Sequence, residues 1–584
     1  MGDKPVAGGG LSASLWRHRP KILPYAVLLI VSFGLSFAYL GKGLWTAPKT
    51  SWRGNPGDPE QFMWFLRWIP YAIRHGHNPF LTNYALYPEG ANMMWNGSII
   101  VPAILISPVT LTVGPVVAFQ VLLVLAPVGN TLAAYALFGR WVKSPVAAGV
   151  GALAFGFCPL VTIHSAGHIH LTMLALLPLI FLMLDEIFIR QRWRPWIPGV
   201  LLGFLTSCQL LTGEEMLAIA ALMAGCALVL AAAFHFREMP ARIPYILRAA
   251  WPAILVAGWL SAYPLWVQLK GPRQAPGAHL TDVYVIDLYN FVQPVLAAFG
   301  VSPSHNQGLP YTGNAGEWTG YIGIPLIVAM VIAAGWQWKR RPVVPVAVIL
   351  AVFFAVLSLG PFLHVNGHDT KFGLPWGTFE RLPLMHNLLA SRLSVAVSFF
   401  AAILLAVFVD ALITLRHRLV QGLGAALVIL VGLSLVPSGL NVTHIKSPAF
   451  FRGDAVKTAI PNGSVTLIVP YVYGPTTEHP MLWQAEADMH FRMIDGWLIV
   501  PGFHFGTNHI IAQTLKTIGE TPVAVTAKLR SEFIGELRAR KVENVLVAPM
   551  AGRPNAVTFF TALFGHGPDV TTGGVDVWRV PAAR

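Results

Sequence analysis

The chain has 584 residues, of which 55% are hydrophobic and only 11% are charged, and its mean hydropathy is +0.60. A soluble chain carries about a quarter charged residues, so this composition excludes a soluble globular protein. The formal net charge of +14 does not indicate a nucleic-acid partner. Lys and Arg cluster in short loops between apolar runs, as they do on the cytoplasmic side of membrane proteins.

The first apolar run extends roughly from Ile22 to Leu40 and follows several basic residues. It resembles a signal peptide in part, but no small-residue cleavage site precedes Trp45, so we predict a first membrane span. Its basic flank places residues 1–21 in the cytoplasm. Residues 42–97 then form a large loop on the outer face.

Two acidic residues stand near the middle of this first loop, in the segment Gly57-Asp58-Pro59-Glu60-Gln61. An aromatic amphipathic stretch, Phe62 to Tyr71, follows and predicts a helix lying in the membrane interface. Asp58 and Glu60 begin that helix, where the helix dipole favours carboxylates, so one interpretation is a helix cap. The other is an acidic pair that serves as a base or a metal ligand.

The positions of the basic clusters decide how many later segments cross the membrane. If both apolar pieces between residues 98 and 138 crossed the membrane, every later Lys/Arg cluster would lie on the outer face. If only one of them crosses, every later cluster lies in the cytoplasm. Residues 98–113 are therefore predicted to be re-entrant or surface-lying. The further spans are expected at roughly 116–138, 144–158, 171–188, 196–211, 215–235, 246–267, 320–337, 343–359, 390–414 and 418–436. The multi-pass domain, residues 22–436, then has about eleven transmembrane helices.

Ionisable residues recur at the outer ends of these spans. The loop at 159–170 contains His164, His168 and His170, which suit either a metal ion or a lipid phosphate, or are interfacial histidines without a partner. Glu214 and Glu215 lie in a turn between two spans. Acidic groups at that depth are costly, so each needs a cation, an arginine or a metal as a partner.

Two further charged residues have the same depth. Glu317 precedes an outer span end, and Arg392 begins an otherwise apolar span. An arginine there either extends its head group to the interface or holds a phosphate with its guanidinium fork. Because charged groups near the membrane need partners, we predict that the outer-face acids, histidines and Arg392 line one cavity.

The composition changes after Pro437. Three β-branched stretches, Val465 to Val469, Val542 to Val547 and Val575 to Val580, alternate with helix-like segments such as Val523 to Arg538. This pattern predicts an α/β domain over residues 437–584. Because the predicted number of spans is odd, this domain lies outside the cytoplasm.

Several motif classes do not occur in the sequence. It has no Walker A loop, GxSxG elbow, HExxH motif or dinucleotide fingerprint, so a nucleotide-driven enzyme is not indicated. Its three cysteines, Cys158, Cys208 and Cys226, lie in or beside apolar spans without paired spacing. They predict no disulfide framework and no thiol nucleophile.

Taken together, the sequence resembles the GT-C class of membrane glycosyltransferases over nearly the whole chain. Several short segments look similar to an actinobacterial group within that class: Gly57-Asp58-Pro59-Glu60-Gln61-Phe62, Asn78-Pro79-Phe80, Tyr87-Pro88-x-Gly90-x-Asn92 with Trp95-Asn96, Gly167-His168-x-His170, Ser391-Arg392 and Trp483-Gln484-Ala485. The expected fold is thus an α-helical polytopic membrane protein, GT-C-like, with a C-terminal extracytoplasmic α/β domain.

The resemblance implies a sugar donor linked to polyprenyl phosphate and an inverting transfer to a glycan or lipid acceptor outside the plasma membrane. It implies that Asp58 is the base and that Glu60 completes an acidic pair. The signature motifs of protein O-mannosyltransferases and oligosaccharyltransferases are missing from the C-terminal region, so a peptide acceptor is not supported. A divalent metal, Mg²⁺ or Mn²⁺, is a possible cofactor; no other cofactor is implied.

The expected mechanism assigns a developing charge to each group. Asp58 takes the proton of the acceptor hydroxyl, while Arg392, His168 and His170 neutralise the departing lipid phosphate. The supporting acids on the outer face are Glu214, Glu215 and Glu317.

The C-terminal domain is expected to roof the cavity and to bind the acceptor through exposed aromatic residues, Trp483 and Trp497. Two other functions remain open. A transporter or flippase of lipid-linked sugars would need the same phosphate site but no base. A scaffolding membrane protein would leave the costly outer-face charges without a purpose.

Overall fold

The computed structural model describes residues 10–234, 236–275, 283–295, 309–382, 385–438, 440–445, 447–474, 479–501 and 510–581. The helices before the C-terminal domain are α1 (Gly10–Leu40), α2 (Lys42–Thr46), α3 (Asp58–Arg74), α4 (Ile100–Thr112), α5 (Pro115–Phe138), α6 (Pro145–Gly156), α7 (Pro159–His164), α8 (Ile169–Thr172), α9 (Leu176–Leu184), α10 (Trp196–Leu210), α11 (Glu214–Phe234), α12 (Met239–Lys270), α13 (Ile324–Gln337), α14 (Val343–Ser358), α15 (Trp376–Phe379), α16 (Ser394–Ile413) and α17 (Arg418–Leu435). A π-helix, Asp185–Arg190, extends α9, and a 3₁₀ turn, Ala390–Leu393, leads into α16.

Seven segments of the described chain are long and apolar enough to cross a membrane: Ile22–Leu40, Pro115–Phe138, Ile169–Arg190, Glu214–Phe234, Met239–Lys270, Ala390–Ile413 and Arg418–Leu435. The other four predicted spans match the shorter apolar helices α6, α10, α13 and α14. The multi-pass helical fold is therefore confirmed. The number of crossings stays a prediction, because a perpendicular helix needs about 20 residues to span the hydrocarbon core.

Helix α4 occupies the region predicted to be re-entrant or surface-lying. It has 13 residues and packs against α3 and α5. Ile100, Ala103 and Ile106 are buried. The apolar side chains of this segment are therefore covered in part by protein.

Helix α16 lies at the centre of the bundle. It packs against α6, α13 and α14, and its residues from Ser394 to Leu412 are all buried. Gly151 of α6 allows a close approach, since a Cβ there would lie 2.7 Å from the carbonyl oxygen of Ala402. Because α16 is central, the 3₁₀ turn at its N-terminal end, which includes Arg392, is enclosed by neighbouring elements.

Helix α3 does not lie on the surface in the way its amphipathic pattern predicted. It packs against α4 and α5 of the bundle and against a helix of the C-terminal domain. Trp64 and Trp68 are 0% and 1% exposed. An apolar stripe has the same sequence pattern whether lipid or protein covers it, so the pattern alone could not distinguish these cases.

The short strands of the first part are β1 (Ser51–Arg53), β2 (Leu81–Thr82), β3 (Ala91–Asn92), β4 (Phe362–Val365) and β5 (His368–Gly373). The remaining elements are β6 (Val442–His444), α18 (Ala449–Arg452), α19 (Ala455–Ala459), β7 (Val465–Val469), α20 (His479–Glu486), β8 (Arg492–Met493), α21 (Ile510–Glu520), α22 (Ala527–Ala539), β9 (Asn544–Val547), α23 (Arg553–Phe564), β10 (Val570–Thr572) and β11 (Val575–Arg579).

The C-terminal region contains the predicted α/β domain. Its five-stranded sheet has the order β10-β11-β9-β7-β8. Strands β8 and β9 pair with β7 in parallel, whereas β11 is antiparallel to both β9 and β10. The exact domain boundaries stay a prediction.

The segment between α1 and α4 joins this domain to the bundle. Strand β1 pairs with β6 in antiparallel fashion. The backbone N–H of Met493 donates to the carbonyl of Tyr84 at 2.8 Å, and that of Tyr87 donates to the carbonyl of Met493 at 2.9 Å. The indole of Trp64 on α3 donates to the Gln484 side chain at 2.5 Å. These bonds hold α20 and the segment after β8 beside the N-terminal turn of α3.

Candidate active site

The N-terminal turn of α3 lies directly against the histidine-bearing loop at 159–170. The backbone N–H of Asn55 donates to the carbonyl of Ala166 at 2.9 Å. A Cβ on Gly54 would lie 2.6 Å from that same oxygen, so this approach requires glycine. Gly57, with φ of 106°, provides the left-handed turn that starts α3. The local backbone thus brings Asp58 beside His168.

Asp58 is held as a carboxylate by two side chains. Its Oδ2 lies 3.0 Å from Nε2 of His168, and the two side chains are 31% and 29% exposed. The side chain of Trp497 also hydrogen-bonds the carboxylate. Burial raises the pKa of Asp58, but the hydrogen bonds from His168 and Trp497 outweigh it and hold the pKa below its usual value. Asp58 is therefore ionised near neutral pH and accessible to a substrate.

A second histidine continues this network into the protein. Nδ1 of His164 lies 3.2 Å from Nδ1 of His168, and its Nε2 lies 3.9 Å from Oε2 of Glu317. His164 is fully enclosed, and burial lowers its pKa to about 3. His164 is therefore neutral, with a proton on only one of its two ring nitrogens.

The protons of this network can be placed in two ways. In the first, His168 is protonated on both nitrogens and donates to Asp58 and to His164, whose remaining N–H faces Glu317. In the second, His164 donates to His168, so its Nε2 is a bare acceptor that faces a carboxylate oxygen. Two acceptors at that separation repel each other, so the second arrangement requires either a cation or a water molecule that donates to both of them.

Three of these side chains could hold a divalent cation. One ligand atom each from His164, His168 and Glu317 lies within 4.8 Å of the others. Nε2 of His164 is buried and has no hydrogen-bond partner among the described residues. Imidazole nitrogen suits transition-metal ions, whereas Mg²⁺ prefers oxygen. Of the two predicted ions, Mn²⁺ therefore fits these residues better.

The predicted partner of His168, His170, is placed differently. Its ring stacks on Phe62 with centroids 5.2 Å apart. Its Nδ1 is buried without a hydrogen-bond partner in the described part of the chain. The structure thus joins His168 to His164, four residues before it, rather than to His170. We place His170 in the packing around α3.

Arg392 lies between two carboxylates. Its Nη2 and Nε donate to Glu317 at 2.6 and 3.1 Å, and its Nη1 donates to Glu215. Ser391 Oγ also donates to Glu317, at 3.2 Å. Burial raises the pKa of Glu317, but the guanidinium outweighs it and holds the pKa well below its usual range. We call Glu215, Arg392 and Glu317 the buried clamp.

The buried clamp argues against the phosphate-binding role predicted for Arg392. The Arg392 side chain is only 8% exposed, and both of its carboxylate partners are largely buried. A phosphate would have to displace one carboxylate and leave it buried without a partner, which costs several kcal/mol. Glu214, the neighbour of Glu215, forms no ion pair with the described residues. Of the two predicted acids, Glu215 is the one that binds Arg392.

Glu60 also has a histidine partner, which the sequence analysis did not identify. Both Glu60 oxygens lie close to Nδ1 of His479, at 2.8 and 3.0 Å, and Glu60 is completely buried. The sequence indicated only a helix cap or an acidic pair with Asp58 for Glu60. Nothing in the local pattern could select His479, which is 419 positions away, from the 19 histidines of the chain.

The two predicted acceptor-binding tryptophans have different surroundings. Trp483 is only 3% exposed and stacks on Phe451 with centroids 5.2 Å apart. It belongs to the core shared by the domain and α3, so the prediction of an exposed aromatic at this position is wrong. Trp497 is half-buried and contacts Asp58. Of the two, only Trp497 lies at the candidate site.

The described residues therefore form one connected site. Contacts run from Asp58 through His168 and His164 to the buried clamp, and the Glu60–His479 pair adjoins them on the first turn of α3. Several of the residues predicted to gather are thus in contact; that they line one cavity on the outer face stays a prediction. The chemical role of each residue is a separate question.

Comparison with solved structures identifies the fold. The arabinofuranosyltransferase AftD from Mycobacteria superposes with a TM-score of 0.57 and 14% identity, over 96% of this chain and 40% of that chain. A mutant form of the same enzyme superposes with a TM-score of 0.54 and 15% identity, over 96% of this chain and 41% of that chain. The apo oligosaccharyltransferase of Archaeoglobus fulgidus has a TM-score of only 0.45 and 14% identity, over 89% of this chain and 69% of that chain. This chain thus spans about two fifths of the length of AftD.

At such low identity these similarities concern the fold alone. The chain has the GT-C fold of membrane glycosyltransferases, as predicted. No family model matches the sequence, and no curated protein sequence matches it. The narrower actinobacterial grouping stays a prediction.

Proposed function

We propose that this chain is a glycosyltransferase of the plasma membrane that moves a sugar from a polyprenyl-phosphate donor to a glycan or lipid acceptor outside the cytoplasm. The observation that carries the proposal is Asp58. It is an ionised, partly exposed carboxylate at the edge of a buried histidine and acid network. A helix cap would not need two side-chain hydrogen bonds to keep its charge.

The proposed reaction is a single displacement at the anomeric carbon. Asp58 accepts the proton of the acceptor hydroxyl while the acceptor oxygen bonds to that carbon. The bond between the carbon and the phosphate oxygen breaks, and its electron pair leaves with the polyprenyl phosphate. The proton then passes from Asp58 to solvent. His168 and Trp497 orient the Asp58 carboxylate for this step, which is the requirement for general base catalysis.

The charge of the site favours an additional cation when the donor binds. Asp58, Glu60 and the two acids of the buried clamp face one guanidinium and the histidines. An anionic donor phosphate would be repelled by this excess of carboxylates. A divalent ion on His164 and Glu317, with His168 as a third ligand once its ring gives up the contact with His164, would supply the missing positive charge and stabilise the departing phosphate.

The decisive experiment replaces the base. Asp58→Asn keeps the size and a helix-capping side chain but cannot accept a proton. We expect the variant to fold and bind donor while sugar transfer falls by at least about two orders of magnitude. Purified protein is incubated with membrane extract and with radiolabelled polyprenyl-phosphate mannose, glucose, galactosamine and arabinose in turn. Release of free lipid phosphate measures transfer.

Asp488→Asn is the matched control. Asp488 lies after α20 and pairs with Arg67 of α3, the helix that also carries Asp58, at 3.1 Å. The Asp488 side chain is 60% exposed, so loss of its charge should leave transfer unchanged. Transfer by Asp58→Asn at nearly the wild-type rate would reduce Asp58 to a helix cap. If wild type transfers no sugar but moves lipid-linked sugar between leaflets, the flippase hypothesis replaces the proposed function.

A further inference from the structure

We propose that the imidazole of His479 binds the phosphate of the lipid-linked donor and that the buried carboxylate of Glu60 fixes it in place. The inference rests on the proposed function and adds a binding residue to it.

The first observation is the pairing itself. Glu60 lies completely buried in the first turn of α3, and Nδ1 of His479 is 2.8 Å from one of its oxygens. A buried carboxylate is costly without a cation beside it. Burial lowers the pKa of His479, but the hydrogen bond to Glu60 outweighs it and raises the pKa above its usual value. His479 is therefore an imidazolium over a wider pH range than a free histidine.

The second observation is the open side of the ring. His479 directs Nδ1 toward Glu60, and its side chain is 36% exposed. No described residue forms a hydrogen bond with its Nε2. An imidazolium N–H without a hydrogen-bond partner in the described part of the chain can donate a short, charge-assisted bond to a phosphate oxygen. Glu60 leaves the ring only one free nitrogen, so the direction of that bond is fixed.

The third observation is the position of His479 relative to the base. His479 is the first residue of α20, and Met481 on the same helix accepts the backbone N–H of Trp497 at 3.2 Å. Trp497 bonds the Asp58 carboxylate, and its carbonyl accepts from Gln61. The wall that the C-terminal domain presents to the first turn of α3 thus carries both Trp497 and His479.

The other cationic or imidazole groups of the described site are already engaged. Arg392 is held between two carboxylates. His168 uses one nitrogen for Asp58 and the other for His164. His164 is fully enclosed, and the ring of His170 is stacked on Phe62. Among the described site residues, His479 is therefore the group best able to receive a phosphate without breaking an existing contact.

The test measures binding of polyprenyl monophosphate to the full chain in nanodiscs. In His479→Gln we expect the Kd to rise about 10- to 100-fold, the range for one charge-assisted hydrogen bond. His479→Arg keeps the cation and should bind within about threefold of wild type. The matched control is His490→Gln, since His490 is a half-buried histidine of the same domain that bonds the carbonyl of Ile460 at 3.1 Å; its Kd should not change.

Two further ligands identify the group that is recognised. Polyprenol, which lacks the phosphate, should bind wild type and His479→Gln equally. If the site recognises phosphate alone, inorganic phosphate should compete with polyprenyl monophosphate for the wild-type protein. If it does not compete, while His479→Gln still weakens binding of polyprenyl monophosphate, the site recognises the phosphorylated lipid. If His479→Gln does not fold, the double variant Glu60→Gln/His479→Gln, which leaves no unpaired buried charge, takes its place.

Binding of polyprenyl monophosphate by the folded variant with the wild-type Kd would overturn the inference. The inference would also be overturned if His479→Gln lost as much affinity for polyprenol as for polyprenyl monophosphate. Because these measurements need no sugar transfer, they can fail or succeed independently of the proposed function. If the wild-type chain transfers no sugar but binds polyprenyl monophosphate through His479, only the proposed enzymatic function is refuted.

Discussion

Replacing Arg392 by Met is expected to lower the free energy of unfolding by about 3–5 kcal/mol, the cost of breaking a buried ion pair on one side. Methionine fills part of the space but leaves Glu215 and Glu317 facing each other without the guanidinium. Both carboxylates are largely buried, with side chains 15% and 4% exposed. Water therefore cannot replace the lost hydrogen bonds.

Arg341→Met is the matched control at another span end. Arg341 binds one carboxylate, Asp410, at 2.6 Å. Asp410 also accepts the backbone N–H groups of Lys143 and Ser144 at 3.1 and 2.7 Å. Asp410 keeps both of these donors after the substitution, whereas Glu215 and Glu317 each keep only one, from Leu389 N–H and Ser391 Oγ. We therefore expect a smaller loss of about 1–3 kcal/mol.

A triple variant separates the two possible roles of Arg392. Arg392→Met combined with Glu215→Gln and Glu317→Gln removes all three charges, so most of the lost stability should return. The measurement is denaturant titration in detergent micelles followed by tryptophan fluorescence. The reasoning is refuted if Arg392→Met costs no more than Arg341→Met, or if the triple variant regains nothing. A stable Arg392→Met protein that no longer binds polyprenyl monophosphate would instead restore the original phosphate-binding hypothesis.

Three further predictions address topology, pH and metal. Residues after 437 should lie outside the cytoplasm. A C-terminal alkaline phosphatase fusion should therefore be active, and a green fluorescent protein fusion should not fluoresce. The reverse result would refute an extracytoplasmic site. The folded-state pKa values of His479 and Glu60 are both raised. The stability that their pairing adds should therefore be present at about pH 6.5 and be lost as pH rises through the folded-state pKa of His479 or falls through that of Glu60. Thermal unfolding of Glu60→Gln/His479→Gln should show a weaker alkaline loss than wild type. Finally, chelation should reduce transfer, and Mn²⁺ should restore it better than Mg²⁺. This restoration should be abolished in Glu317→Gln. Transfer that is insensitive to chelator would refute the role of the ion.

The site shows where local sequence information ends. Asp58, His168, Glu215 and Arg392 could be selected because charged groups at membrane depth are costly and need partners. Which partner each would find was not available, because most of these contacts join residues 75 or more positions apart. Arg392 was therefore assigned to a phosphate, whereas the structure gives it two carboxylates.

The sequence by itself determined the membrane class, the positions of the apolar helices and the α/β character of the C-terminal region. Span length follows from the thickness of the hydrocarbon core, and strand pattern follows from alternating or continuous β-branched residues, so both are local properties.

Only the tertiary structure decided which apolar faces are covered by protein and which charges are neutralised by one another. Helix α3 and Trp483 are apolar in any surroundings, and their burial depends on the C-terminal domain folding back onto the first loop. Glu60 likewise obtains His479 only through that docking. Hydrophobicity is a property of a residue, whereas burial and ion pairing are properties of the neighbours that the fold brings to it.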